Sequence, residues 1–374
     1  MWREGRKEPE AYEADGRMEH VTRGGFGSGD TKEVEALQAL RGLDRPFVVG
    51  SLTVPNRVVA APMAGVTCSA FRRHLKSHGV GLLYTEMVSA QGILHGNRRT
   101  CEYVEFTEAE RPLAVQLFAA EPDAVARATA WVLERASRPD IIDINMGCPA
   151  RKVVKTGAGA ALMGDIPRAV AMAAAAVRTA AAAGVPVTVK LRTGLVPGDG
   201  VARDLAPRLE AVGVAAVALH ARAASEFYKG RADHGESAAV GGRLSIPLVV
   251  SGDIDSVEQA AIVRAQSGCT AVMVARGMLG NPWLVGDLLW AAEGRGRRPA
   301  VTAAEAVNDL LRLFAGARSH MGDARAVRWI RSHLGWYLRR WGVSAARVQG
   351  LRLVAEANRL QAELEAVRTG FMVP

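Results

Sequence analysis

Long uninterrupted apolar stretches are missing from this 374-residue chain. The opening residues, MWREGRKEPEAYEADG, carry no apolar core of the kind a signal peptide needs, and the Ala-rich run from Ala169 to Val189 is broken by Arg178 and Gly184. Neither a signal peptide nor a membrane span is expected. Cysteine is scarce: Cys68, Cys101, Cys148 and Cys269 show no paired spacing, which argues against a disulfide framework and a cysteine zinc site. A reducing cytoplasm and no bound metal are the expectations. Lysine is missing altogether after Arg295, where fourteen arginines face six acidic residues. This tail therefore carries +8 of the chain's formal charge of +9, and the remainder is close to neutral. An anionic partner for the tail follows.

What is present is a long alternation. Residues 1–44 are charged and Gly-rich without an apolar period and read as an irregular extension. Phe47 to Val49 and Leu52 to Val54 flank Gly50-Ser51 as a hairpin would. Eight short apolar runs then alternate with helical stretches: Val58 to Ala61, Leu82 to Thr85, Leu113 to Leu117, Ile141 to Asn145, Val187 to Leu191, Ala215 to His220, Ile246 to Ser251 and Ala271 to Ala275. Most are apolar on both faces, as strands of a helix-covered parallel sheet are. Eight βα units predict a TIM (β/α)8 barrel over residues 45–294. After it, Ala303 to Ala315, Ala324 to Trp341 and Ala345 to Val367 read as helices, forming a smaller all-helical C-terminal domain over residues 295–374. A monomer is the simplest expectation.

In such a barrel, reacting groups stand at the C-terminal strand ends. Here those positions hold Pro62-Met63-Ala64-Gly65, Glu86, Gln116, Asn145 to Pro149, Lys190, His220 with Arg222, Ser251-Gly252-Asp253, and Ala275-Arg276-Gly277. Polar groups at nearly every strand end point to one convergent site. The last two turns have small residues that let backbone amides approach a phosphate, with Arg276 to neutralise it. Redox chemistry would have to come from such a phosphate-bearing cofactor, and Lys190 suits the N1 and O2 edge of a flavin; the plain alternative is a salt bridge to Glu86. Cys148, in a Gly-Cys-Pro turn, is mostly protonated at its ordinary pKa and can act as an acid. In the tail, Arg328, Arg331, Arg339 and Arg340 lie among Trp329, Trp336, Tyr337 and Trp341. They read as phosphate contacts or as a solvated basic face.

Ala61-Pro62-Met63-Ala64-Gly65-Val66-Thr67 followed by Ser69-Ala70-Phe71-Arg72, and Asp143-Ile144-Asn145-Met146-Gly147-Cys148-Pro149-Ala150-Arg151-Lys152-Val153 running on to Gly157 and Gly159-Ala160-Ala161-Leu162-Met163, resemble the signatures of the tRNA-dihydrouridine synthase family, its bacterial B-type branch most closely. The resemblance spans roughly residues 45 to 340. It implies that Pro62, Met63, Ala64, Gln116, Lys190, His220, Ser251, Gly252, Asp253, Ala275 and Arg276 hold FMN, which NADPH reduces. It further implies that Cys148 is the proton donor, that Asn145 and Arg222 face a flipped-out uracil, and that the helical tail grips tRNA. Cys68, Ser251 and Ala275 stand where the family usually has Asp, often Asn, and Gly. Two rival readings are a flavin barrel acting on a free small molecule, such as a dihydroorotate dehydrogenase, and a non-catalytic RNA-binding protein on a barrel scaffold. The +8 tail weighs against the first.

Overall fold

The computed structural model describes residues 37–372, so most of the 1–44 extension lies outside the described residues. Its last stretch is packed: Leu40 and Leu43 are fully buried, and Arg264 Nη1 donates to the carbonyls of Leu40 and Arg41.

Strands β1 (Phe47–Val49) and β2 (Leu52–Val54) form the expected antiparallel hairpin, with Phe47 opposite Val54. A Cβ on Gly50, whose φ is +59°, would lie 2.8 Å from Pro186 Cβ and 3.4 Å from Ala215 Cβ. Both residues precede barrel strands, so the hairpin covers the N-terminal end of the barrel. Phe47, Val49 and Val54 join Val59, Leu82, Ala114, Ile141, Ala216, Val249 and Ala271 in one buried apolar cluster there.

The barrel strands are β3 (Val58–Ala60), β4 (Leu83–Tyr84), β6 (Leu113–Phe118), β7 (Ile141–Asn145), β8 (Val187–Arg192), β9 (Ala216–His220), β10 (Leu248–Ser251) and β11 (Ala271–Val274); the short β5 (Val88–Ser89) adds to β6. They pair in parallel in the order β3-β11-β10-β9-β8-β7-β6-β4, and a parallel bridge between Val59 and Leu82 closes the ring. Every strand residue from Ile141 to Asn145 is buried, the result of burial on both faces. Seven outer helices cover the ring: α1 (Ser69–Ser77), α2 (Pro122–Leu133), α3 (Ile166–Ala181), α4 (Val201–Ala211), α5 (His234–Gly241), α6 (Val257–Ser267) and α7 (Leu284–Ala292). This is the TIM barrel the alternation predicts.

Four helices follow: α8 (Ala303–Met321), α9 (Asp323–Arg340), α10 (Ala345–Leu353) and α11 (Ala357–Gly370). Thr302 and Glu305 form a reciprocal capping box that starts α8. The single helix expected from Ala345 to Val367 is instead two. The chain leaves helical geometry after Leu353, and Glu356 caps α11 by accepting from the amides of Asn358 and Arg359. An acidic residue that satisfies two orphan amides outweighs continuation of the apolar period here. No helix among the described residues is long and apolar enough to cross a membrane.

Candidate active site

Strand register brings the polar ends together. Asn145 of β7 lies opposite Lys190 of β8, and Ser251 of β10 lies opposite His220 of β9. From the barrel interior a hydrogen-bonded chain rises to the mouth. Thr188 Oγ1 donates to Asp143 Oδ1 (2.6 Å), and Gln116 Nε2 donates to Asp143 Oδ2 (2.7 Å). Asn145 Nδ2 donates to Gln116 Oε1 (2.8 Å), while Asn145 Oδ1 accepts the backbone amides of Gly147 (3.2 Å) and Cys148 (2.9 Å). The turn bearing Cys148 is thereby tied to the barrel core, and Cys148 O accepts from Ala160 N at 3.0 Å on its other side.

Arg192 braces the same turn. Its Nε donates to Gly147 O (3.1 Å) and its Nη1 to Ala223 O (3.0 Å) and Phe227 O (2.6 Å). Its guanidinium lies 5.3 Å from the ring of Tyr228, against which Arg276 also rests at 5.2 Å. His220 stands 6.1 Å from that same ring.

The charge balance at this mouth favours an anion. Burial first, and then Lys190, Arg192, Arg222 and Arg276, push His220 well below its ordinary pKa, so its imidazole is neutral. Burial and the nearby Arg192 lower Lys190 to about 8. The half-buried Lys190 ammonium makes no hydrogen bond or ion pair with another described residue, and Glu86 accepts from Gly65 N (2.7 Å) rather than from Lys190. Burial raises the Cys148 thiol above its usual value, against the pull of Arg192, Lys190 and Lys152, so it keeps its proton at neutral pH. Burial likewise lifts Asp143 to about 7.

Several expected site residues have more particular settings. Arg222 is 2% exposed, with Nε on Lys229 O (2.9 Å) and Nη2 shared between Gly230 O and the Asp253 carboxylate (2.7 and 2.8 Å). Only Nη1 is left to approach His220 Nε2, at 3.4 Å. Asp253 also accepts Ala232 N (2.8 Å), so its side chain fixes the 229–233 segment. Gly252, at φ +130°, has Ala232 Cβ where its own would fall, at 2.7 Å, and no other residue fits this turn. Ser251 is buried and Arg276 exposed. Met63 is buried, its amide and carbonyl both engaged by Thr67 Oγ1, with Pro62 and the exposed Ala64 beside it at the first strand end. Gln116 is fully buried under Asn145. Ala275 precedes Arg276 at the end of β11. Cys68 is the N-cap of α1 and makes no capping bond, which a carboxylate there would supply. Arg328 and Arg339 are exposed on α9, Arg331 is half-buried, and Arg340 is exposed.

Sequence reasoning had no role for Asp143, Thr188, Arg192 or Tyr228. Arg192 carries a signal, since it follows Lys190 by two on one strand and so shares its face. Tyr228 lies in a loop and carries none.

These features meet an independent match: the profile described as Dihydrouridine synthase (Dus) covers residues 58–370. The chain belongs to the dihydrouridine synthase family. Among relatives, the tRNA-dihydrouridine synthase B of Pseudomonas aeruginosa is 35% identical over 327 residues, spanning 86% of this chain and 95% of that protein. The tRNA-dihydrouridine synthase B of Shewanella oneidensis is 35% identical over 290 residues, 78% of this chain and 88% of that one. Among solved structures, histamine dehydrogenase from Rhizobium sp. 4-9 matches with a TM-score of 0.51 at 12% identity over 89% of this chain and 65% of that chain, a likeness of fold alone.

Proposed function

We propose that this dihydrouridine synthase reduces selected uridines in tRNA to 5,6-dihydrouridine, with FMN as its bound flavin and NADPH as reductant. The observation that carries the reading is a protonated thiol, Cys148, and the Lys190 ammonium, which makes no direct ion pair with another described residue, each within electrostatic reach of the other. A phosphate-bearing flavin fits the residues present, because Lys190, Arg192 and Arg276 outnumber the nearby carboxylates and Asp253 is already paired with Arg222. Pro62, Met63, Ala64, Gln116, Lys190, His220, Ser251, Gly252, Asp253, Ala275 and Arg276 would hold it. Bound there, it supplies the hydride for uracil C6, which no side chain can provide.

The chain's own residues do the rest. Lys190 offers the positive charge that favours an electron-rich ligand beside it. Asn145 holds the Cys148 turn in place, and in this reading Asn145 and Arg222 face an extruded uracil. Cys148 delivers its proton to C5, and burial suits it to the task by keeping it a thiol. Residues 295–374 form the RNA-binding part in this reading, with Arg328, Arg331, Arg339 and Arg340 meeting phosphates. The reaction would run in the cytoplasm, where tRNA resides.

The test compares nucleosides from tRNA of cells with and without this gene, together with the colour of the purified protein. Loss of dihydrouridine and a yellow protein bleached by NADPH are expected. Unchanged dihydrouridine would refute the substrate, and a colourless protein would refute the cofactor.

A further inference from the structure

Away from the barrel mouth, α1 and the tail meet at a compact cluster of ligand-type side chains. His74 lies in the last turn of α1 and His78, four residues on, is its C-cap, so the two rings come off the same side of the helix end. Asp309 of α8 straddles them: its Oδ2 is 2.9 Å from His74 Nε2 and its Oδ1 is 3.0 Å from His78 Nε2. The three donor atoms lie within 4.8 Å of one another. Asp309 and His74 are buried and His78 is half-buried, leaving a short path from solvent. Tyr337 of α9 donates to Asp309 Oδ2 (2.8 Å), the outer hydrogen bond that typically orients a carboxylate ligand. Imidazole and carboxylate donors stand at about 2.0–2.2 Å from a tetrahedral zinc, which puts neighbouring donors roughly 3.3–3.6 Å apart, so the 2.9 and 3.0 Å contacts here need open by only about half an ångström.

We infer that His74, His78 and Asp309 form a binding site for a divalent transition-metal ion of the zinc type, joining the barrel helix α1 to the tail helix α8. Two neutral ring nitrogens and one carboxylate are donors that zinc takes, with water completing the shell. Binding replaces the ring N–H contacts to the carboxylate by ring nitrogen–metal bonds. Each ring keeps one proton on Nδ1 and releases any second one to water. One neighbour opposes the ion: Arg312 Nη2 lies 2.7 Å from Asp309 Oδ1, and its positive charge competes for the same oxygen. Its side chain is 67% exposed, so it can swing into solvent without leaving a buried charge behind. This site contains no residue of the barrel mouth and stands or falls independently of the proposed reaction.

The experiment uses the full chain, stripped of metal with a chelator and titrated with Zn2+ by calorimetry, with thermal unfolding alongside. The result expected is one Zn2+ per chain and a Tm that rises with Zn2+. His78→Gln, a change at a half-buried position, should weaken binding by at least about 100-fold and abolish the Tm rise. Arg312→Gln should bind Zn2+ more tightly than the wild type, which a simple hydrogen-bonded cluster would not do. No uptake by the wild type, undiminished uptake by His78→Gln, or no gain in affinity in Arg312→Gln would each overturn the site.

Discussion

Asn145 Oδ1 accepts the backbone amide of Cys148 at 2.9 Å, so the residue that closes strand β7 also sets where the thiol sits. Replacing Cys148 by Ala should slow dihydrouridine formation by about 100- to 10,000-fold, the usual range for loss of a general acid, with flavin content unchanged. Asn145→Ala should slow it by about 10- to 100-fold with the thiol still present, because the turn loses its anchor. The same change leaves Gln116 Oε1 without its donor and should lower stability by about 1–3 kcal/mol. Single-turnover assays on tRNA check both variants, and full activity in Cys148→Ala would remove the thiol from the reaction.

Asp143 makes a pH-dependent contribution of definite sign. Its folded carboxyl titrates at about 7 against an ordinary 3.8, chiefly through burial. The folded chain thus holds this proton more tightly than the unfolded one, so the contribution favours folding in acid and fades as pH rises from 3.8 to about 7. The difference in unfolding free energy between the wild type and Asp143→Asn should fall across that window and level off above it. Urea titrations of cofactor-free protein at several pH values measure it, and a difference indifferent to pH would contradict the assignment.

The start of α1 rests on a buried ion pair. Arg72 Nε meets Glu110 Oε2 at 2.6 Å, and Ser69 Oγ donates to Glu110 Oε1 at 2.7 Å. Glu110→Ala leaves a buried guanidinium unpaired and should cost about 3–5 kcal/mol. Arg98 and Glu102 form an exposed pair at 3.5 Å, and Glu102→Ala should cost less than about 0.5 kcal/mol. The shift in urea midpoint for the two variants decides whether burial sets the scale.

Arg328 and Arg339 are exposed on α9. Where each meets an RNA phosphate, its replacement by Ala should weaken tRNA binding at low salt and flatten the dependence of log K on log salt by about 0.7–0.9. Filter binding over a salt series measures the slope. An unaltered slope in the double variant would move the RNA surface elsewhere.

The sequence made the strands legible because parallel strands covered on both faces are continuous apolar runs; the run Ile141 to Asn145 is strand β7 residue for residue. Cys148 and Lys190 were legible too, being local to a turn and a strand end. Asp143 was harder to read, since a carboxylate inside a strand gains its meaning from Thr188 and Gln116 across the ladder. Asp309 lies 231 positions from His78 and 235 from His74, so no sequence window shows that cluster. The break between α10 and α11 has no Gly or Pro to announce it.

The β1–β2 hairpin has its own bearing on traffic. Phe47, Val49 and Val54 pack into the apolar core at the barrel end opposite Lys190 and His220, and with the interior itself filled by side chains this leaves the mouth as the one open face of the site. Under the proposed function, a nicotinamide and a tRNA loop would both approach through that one mouth and would therefore bind there in turn.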